Sequence, residues 1–468
     1  MDNSTKRRLL LGFLSNLVSK FAATIVQLVQ VPVFLHFWSV PLYGEWMIVT
    51  AIPTYLSISN MGFGNVAGNE MTMMTARDDR EGALSVFQSC WWLISIVCSA
   101  AMLLLGISLY ILPVARWLRL HEINAADSKW VIFYLGCSVL LNQLEALLQS
   151  AYRCVGRYPY GSFVKSVYSL AAFGVMLIPV VMHAGPRVTA LVLACANAVF
   201  TFILCAMVRH DIPWIRFGWS HARFSEIKRL AAPAFAFMAF PVGNALNLQG
   251  TLLAVGYALG PTAVVVFGTA RTVSRVALQM VQMVNNTFWP EMSTAFGASD
   301  IDLIRKLHRR ACQLALLFSL VVVACMMTAG PWFLTHWTGG HVPPSRPLLS
   351  ILLLAVVVYS LWGTSSTLVA AINKHQKLAA YYIFGTSITV VATYFAAKHY
   401  GLYGAAASLL ISEIVMNAYV LPESLRISHD TLPAFLASML HYPQSIRPGV
   451  LLARLRRPKP QPEQDLEG

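Results

Sequence analysis

Six polar residues recur at three- and four-residue steps through one apolar run, "ARTVSRVALQMVQMVNN": Arg271, Arg275, Gln279, Gln282, Asn285 and Asn286. At about 100° per residue they share roughly a third of a helix's circumference, and the remaining faces are mostly Val, Ala, Leu, Met and Phe. An earlier run repeats the pattern with Asn16, Lys20, Gln27 and Gln30 inside an arc of about 80°. A third carries Asn244, Asn247 and Gln249 around Pro241 and Gly243. A guanidinium offers a planar fork to phosphate oxygens, and an ammonium offers a point charge. Amides serve sugar hydroxyls or helix packing. The chemistry such stripes suit is non-covalent capture of an anion, with phosphate the best match. Two acids in other apolar runs, Glu145 in "LLNQLEALLQS" and Glu413 in "ISEIVMNAY", either carry a coupling ion (H⁺ or Na⁺) or are satisfied buried carboxylates.

These stripes need a membrane to position them. The 468-residue chain is 57% hydrophobic and 12% charged, where a soluble protein would carry about a quarter charged residues. Its apolar blocks have helical length and no two-residue alternation, which predicts an all-α polytopic membrane protein and not a barrel. Twelve spans are expected, at 9–36, 42–64, 84–112, 130–151, 160–182, 188–208, 229–257, 262–291, 311–335, 348–372, 378–397 and 401–421. With the N-terminus inside, 25 of the 34 Lys and Arg fall on inner segments and six on outer loops, so both termini are expected in the cytoplasm. The net charge of +14 thus reads as cytoplasmic loops and gives no reason to invoke nucleic acid.

The longest inner joint, 211–228, divides the chain into six-helix lobes at 1–210 and 229–422, a layout of parallel repeats. A faint echo between "VPLYGEWMIVTA" and "PTAVVVFGTA" supports the division. The tail, 423–468, is expected to be amphipathic over "LPAFLASMLHY" and disordered beyond it. The eight cysteines are scattered singly, without a metal-binding or disulfide spacing. No phosphate-binding, zinc-protease or nucleophile-elbow motif is present, so neither an enzyme activity nor a cofactor is expected. Asp78 and Asp79 read as a loop and helix cap.

Three cations, Lys20, Arg271 and Arg275, remain deep in the spans. Arg271 lies about 14 Å into its helix, near the midplane, where facing lipid would cost at least about 3 kcal/mol. One account is a structural ion pair with Glu145 or Glu413. Three deep cations against two comparably deep acids favour the other, a hydrated, net-positive cavity between the lobes.

The opening "LVSKFAATIVQLVQVPVFLHFWSVPLYGEWMIVTAIPTYLSISNMGFGNVAGNE" resembles that of the polysaccharide transporters, the O-antigen and exopolysaccharide flippases. These share a superfamily with the MATE multidrug exporters and lipid II flippases. The matching parts are an apolar first helix, "YGEW" opening the second and the Asn-containing "SISNMGFGNVAGNE" closing it. The resemblance implies two six-helix lobes around a central cavity in the inner membrane, opening alternately to either side. It implies a polyprenyl-pyrophosphate-linked glycan as substrate and membrane lipid, a polysaccharide polymerase and chain-length proteins as partners. Lumen cations fall on Lys20, Arg271 and Arg275. A MATE-like exporter of small organic molecules would be expected to carry an acid in helix 1, where this chain has Lys20. A non-transporting scaffold for polysaccharide assembly is the third alternative.

Overall fold

The computed structural model describes residues 3–56, 63–75, 77–297, 300–371 and 375–440, with most of their side chains from residue 20 onward. The chain is helical throughout these residues and contains no strand among them. α1 (Asn3–Phe37) is followed by α2 (Val40–Thr54) and α3 (Phe63–Thr75), which together make the second crossing. α4 (Arg80–Ile111), the short α5 (Val114–Trp117), α6 (Ala125–Cys154), α7 (Tyr158–Val181) and α8 (Pro186–Asp211) complete the first half. The second half opens with α9 (Phe224–Ala245), a π-helical turn (Leu246–Gly250) and α10 (Thr251–Leu259), one crossing in three pieces. α11 (Pro261–Gly297), α12 (Ile301–Trp337), α13 (Arg346–Ala371), α14 (His375–Ile427) and α15 (Leu432–Leu440) follow.

Nine helices among the described residues are long and apolar enough to cross a membrane. The twelve crossings are recovered from three places where a crossing is not one straight helix. α2 and α3 form one, α9 to α10 form another, and α14 holds two. Gly401, at φ 62° and ψ −148°, breaks α14 where the sequence places an outer turn, in a conformation open to glycine. At the cap expected from sequence, Asp79 accepts a hydrogen bond from the Gly82 amide at 2.8 Å and starts α4.

The two halves touch most closely at the end of the bundle expected to face outward. α2 and α11 lie side by side there, and a Cβ added to Gly44 would sit 2.2 Å from the Pro261 carbonyl oxygen. Only glycine permits that approach. The neighbouring Glu45 is buried, and its carboxylate accepts hydrogen bonds from three successive backbone amides, His121, Glu122 (2.9 Å) and Ile123 (2.7 Å). A buried carboxylate is tolerable only with such donors, and here they fix the 112–124 loop to α2. That loop reaches the second half through Arg119, whose guanidinium lies 4.4 Å from the Tyr257 ring centroid and donates to the Tyr257 carbonyl oxygen at 3.3 Å. Trp337 of α12 donates from Nε1 to the Leu28 carbonyl oxygen of α1 at 2.5 Å.

At the other end, residues 212–223 are stitched to α4. Gln88 donates to the Arg216 carbonyl oxygen (2.9 Å) and accepts from the His221 amide (2.7 Å), while Ser89 accepts from the Arg223 amide (2.8 Å). Arg309 of α12 holds Asp430, just before α15, with two bonds of 2.7 and 2.5 Å. Burial pushes the Asp430 carboxyl up, but the Arg309 guanidinium outweighs it and holds the group below its ordinary range.

Replacing Glu45 with Gln removes the charge and one acceptor from three amides. Hydrogen exchange at residues 121–123 is expected to speed up by about tenfold or more, consistent with losing charge-assisted bonds of roughly 1.5–3 kcal/mol. Unchanged exchange in that segment would show that the loop is held by other contacts.

Candidate functional site

The polar stripe of α11 opens on a cavity of about 490 Å³ inside the second half. α11 contributes Arg271, Arg275, Gln279 and Gln282, the broken crossing contributes Asn244 and Asn247, and α13 and α14 contribute Tyr359, Trp362, Tyr382 and Glu413. Seven residues expected from sequence therefore converge: Asn244, Asn247, Arg271, Arg275, Gln279, Gln282 and Glu413.

The two arginines do different work. Arg271 is 7% exposed and bonded on both terminal nitrogens. Nη1 donates to Thr251 Oγ1 (2.6 Å) and the Leu248 carbonyl oxygen (3.3 Å); Nη2 donates to the Asn247 carbonyl oxygen (2.9 Å) and Oδ1 (2.5 Å). All three partners belong to or border the π-helical turn Leu246–Gly250. Within the helix, Thr251 Oγ1 donates to the same Asn247 (2.6 Å) and Leu248 (3.4 Å) carbonyl oxygens, so each carbonyl has two donors across the irregular turn. The Arg271 fork adds charged donors that brace the turn from α11, with the Phe267 ring centroid 5.7 Å away. Gly243 adds to the local shape, since a Cβ there would meet the Tyr382 ring at 2.4 Å.

Arg275, one turn further on, is half-buried and lines the cavity, and its guanidinium forms no hydrogen bond or ion pair with any described residue. Neither arginine pairs with Glu145 or Glu413 among the described residues. Glu413 instead accepts a hydrogen bond from Trp362 Nε1 at 2.6 Å. Gln282 Nε2 donates to the Tyr359 hydroxyl at 3.3 Å. By formal charge, two guanidinium groups and one carboxylate leave the cavity net positive, with one cation free for a ligand.

A second cavity, about 370 Å³, lies in the first half and takes Gln30 and Glu145 from the expected set. Glu145 is fully buried; Oε1 accepts from Thr201 Oγ1 at 3.1 Å, and Oε2 has no partner among the described residues. Lys165, Asn142, Tyr168 and Asn197 line the same space. Lys165 lies about two turns into α7, which starts at Tyr158, within the span expected at 160–182.

Lys20 is exposed on α1, and neither it nor Gln27 lines either cavity. The Asn16 and Asn286 side chains lie outside the described ones. Asn285 is buried in packing, its Oδ1 accepting from Thr364 Oγ1 at 2.7 Å. Sequence reasoning missed the aromatic wall of Tyr359, Trp362 and Tyr382. In an apolar helix such residues carry no period that separates a cavity wall from a lipid face.

No family model matches the chain. A membrane protein from Bacillus subtilis (strain 168) described as uncharacterized, EpsK, is 23% identical over 417 residues, covering 88% of this chain and 82% of its own. The inward-facing structure of a multidrug resistance MATE family transporter of the MOP superfamily superposes with TM-score 0.70 at 15% identity, over 87% of this chain and 98% of that one. The lipid II flippase MurJ, in an inward closed conformation, also gives 0.70, at 13% identity over 92% and 90%. The outward-facing MATE structure gives 0.61 at 14% identity, over 91% and 96%. The chain has the MATE and MurJ fold. It is a multi-pass membrane protein built on that frame, with two six-helix lobes.

If Arg271 braces the turn while Arg275 stays free, their alanine variants separate by stability. Arg271→Ala is expected to cost roughly 1.5–3 kcal/mol, as charged hydrogen bonds do, and to lower the melting temperature in detergent by several degrees. Arg275→Ala should stay within about 0.5 kcal/mol of the parent. The reverse order in a thermal-unfolding series would contradict the assignment.

Proposed function

We propose that the protein is a flippase that moves polyprenyl-pyrophosphate-linked oligosaccharide from the cytoplasmic to the periplasmic leaflet of the inner membrane. It would serve assembly of a surface polysaccharide, O-antigen or exopolysaccharide. The observation that carries this reading is the free Arg275 in a cavity walled by amides and aromatic rings, a setting suited to a phosphorylated sugar. A fold shared with MurJ, which is named as a lipid II flippase, supports it. The lobes 1–210 and 229–422 act as the rocking units, joined by 211–228, with both termini in the cytoplasm. Lys20, exposed on α1 and lining neither cavity, would meet the substrate outside the second-half site, and the polyprenyl chain stays in lipid. Glu145 and Glu413 are the groups placed to couple H⁺ or Na⁺. The cycle parts Gly44 from Pro261 and Arg119 from Tyr257. It makes and breaks no covalent bond.

A cation-coupled exporter of small organic molecules is the competing reading, favoured by one observation: the unpartnered Oε2 of Glu145 in the first-half cavity. A genetic test separates them. Cells relying on Arg275→Gln should lose surface polysaccharide and accumulate its lipid-linked precursor, whereas Arg275→Lys should retain part of the output. Normal surface glycan with Arg275→Gln at normal protein levels would overturn the flippase reading.

A further inference from the structure

Within that reading, and resting on it, we propose that the second-half cavity is the subsite for the phosphorylated end of the glycan, holding one pyranose ring with its phosphate. The cavity has two chemically distinct walls. Along α11, Arg275, Gln279 and Gln282 are spaced by four and three residues, so a cation and two amides run along one face over about 10 Å. Facing them, α13 and α14 bring Tyr359, Trp362 and Tyr382 into contact. The Tyr359 and Trp362 ring centroids are 4.9 Å apart at 76°, and those of Trp362 and Tyr382 are 6.1 Å apart at 43°.

These rings are held in place. Trp362 is tied to Glu413, Tyr359 to Gln282, and Tyr382 packs over Gly243. A pyranose is apolar on its C–H faces and polar around its rim, so it matches a fixed aromatic wall of inclined rings bordered by amides and a carboxylate. Its phosphate finds the one guanidinium in this wall that is not already bonded. A volume of about 490 Å³ lies in the range of small-molecule sites, roughly 300–1,000 Å³, and leaves no room for a whole oligosaccharide and its lipid. The rest of the glycan must extend beyond it.

The test uses the full-length protein in nanodiscs and calorimetric titration with three soluble probes: glucose 1-phosphate, inorganic phosphate and glucose. Glucose 1-phosphate is expected to bind at least about tenfold more tightly than either half alone. Arg275→Gln should remove the gain due to phosphate. Tyr359→Leu should bring glucose 1-phosphate down to the level of inorganic phosphate without weakening the latter. Tyr359→Phe, which keeps the ring, should preserve the preference and guards against a folding artefact. A polyprenyl-pyrophosphate-linked hexose supplied in the nanodisc lipid should displace glucose 1-phosphate. Equal affinity for phosphate and glucose 1-phosphate, equal losses for both in Tyr359→Leu, or no displacement by the lipid-linked sugar would each overturn the subsite. Such a failure, with surface glycan still lost in Arg275→Gln cells, would leave the flippase reading standing. Tight sugar-phosphate binding with normal surface glycan would do the opposite.

Discussion

A charge deep in a bilayer must be compensated, and the second half of this protein is organised around one place where an irregular helical turn does so. The π-helical turn at Leu246–Gly250 presents carbonyl oxygens that accept both from Thr251 Oγ1 and from the desolvated Arg271 guanidinium. An unpaired Arg at that depth would be costly. The pairing ties α11 to the broken crossing, lets Tyr382 approach over Gly243, and leaves the rest of the α11 stripe facing a polar space. Arg275 is left as the cation of that space because its neighbour is already committed.

The contact between the halves obeys a similar economy of polar groups. Tyr43, Gly44, Glu45 and Trp46 sit together at the tip of α2, and each has a separate task. Gly44 allows two helices to touch at the backbone; Glu45 collects three amides of the following loop; Tyr43 and Trp46 are buried in the apolar core between the halves. Arg119 then extends the loop across to Tyr257. These polar ties border an extended apolar core to which both halves contribute, Trp46 and Val49 from the first and Val265, Val273 and Leu353 from the second.

Much of this is legible in the sequence. Composition and the Lys and Arg distribution lead to twelve crossings, and the three- and four-residue steps in 271–285 pick out the helix face that lines the cavity. Periodicity identifies a face, however, and not the partner opposite it. It could not distinguish Arg271, consumed by a turn in another helix, from Arg275, which is free, nor show that Asn285 closes on Thr364. The break at 246–250 was equally hidden, because "LNLQG" is stabilised by a guanidinium more than 20 residues away and not by its own composition. Glu45 has no periodic signal of its own, because its three donors come from a loop some 77 residues later. The Tyr359–Trp362–Tyr382 wall is invisible in a chain where aromatic residues also face lipid.

The most direct measurement of the account is translocation by the purified protein in liposomes. A polyprenyl-pyrophosphate-linked glycan, labelled on its sugar and placed in one leaflet, would be followed by its accessibility to a non-permeant glycan-modifying enzyme. The account predicts exchange between leaflets that depends on the protein and falls to the protein-free rate with Arg275→Gln. Leaflet exchange no faster than in protein-free liposomes, from a folded preparation that moves a small organic cation instead, would contradict it.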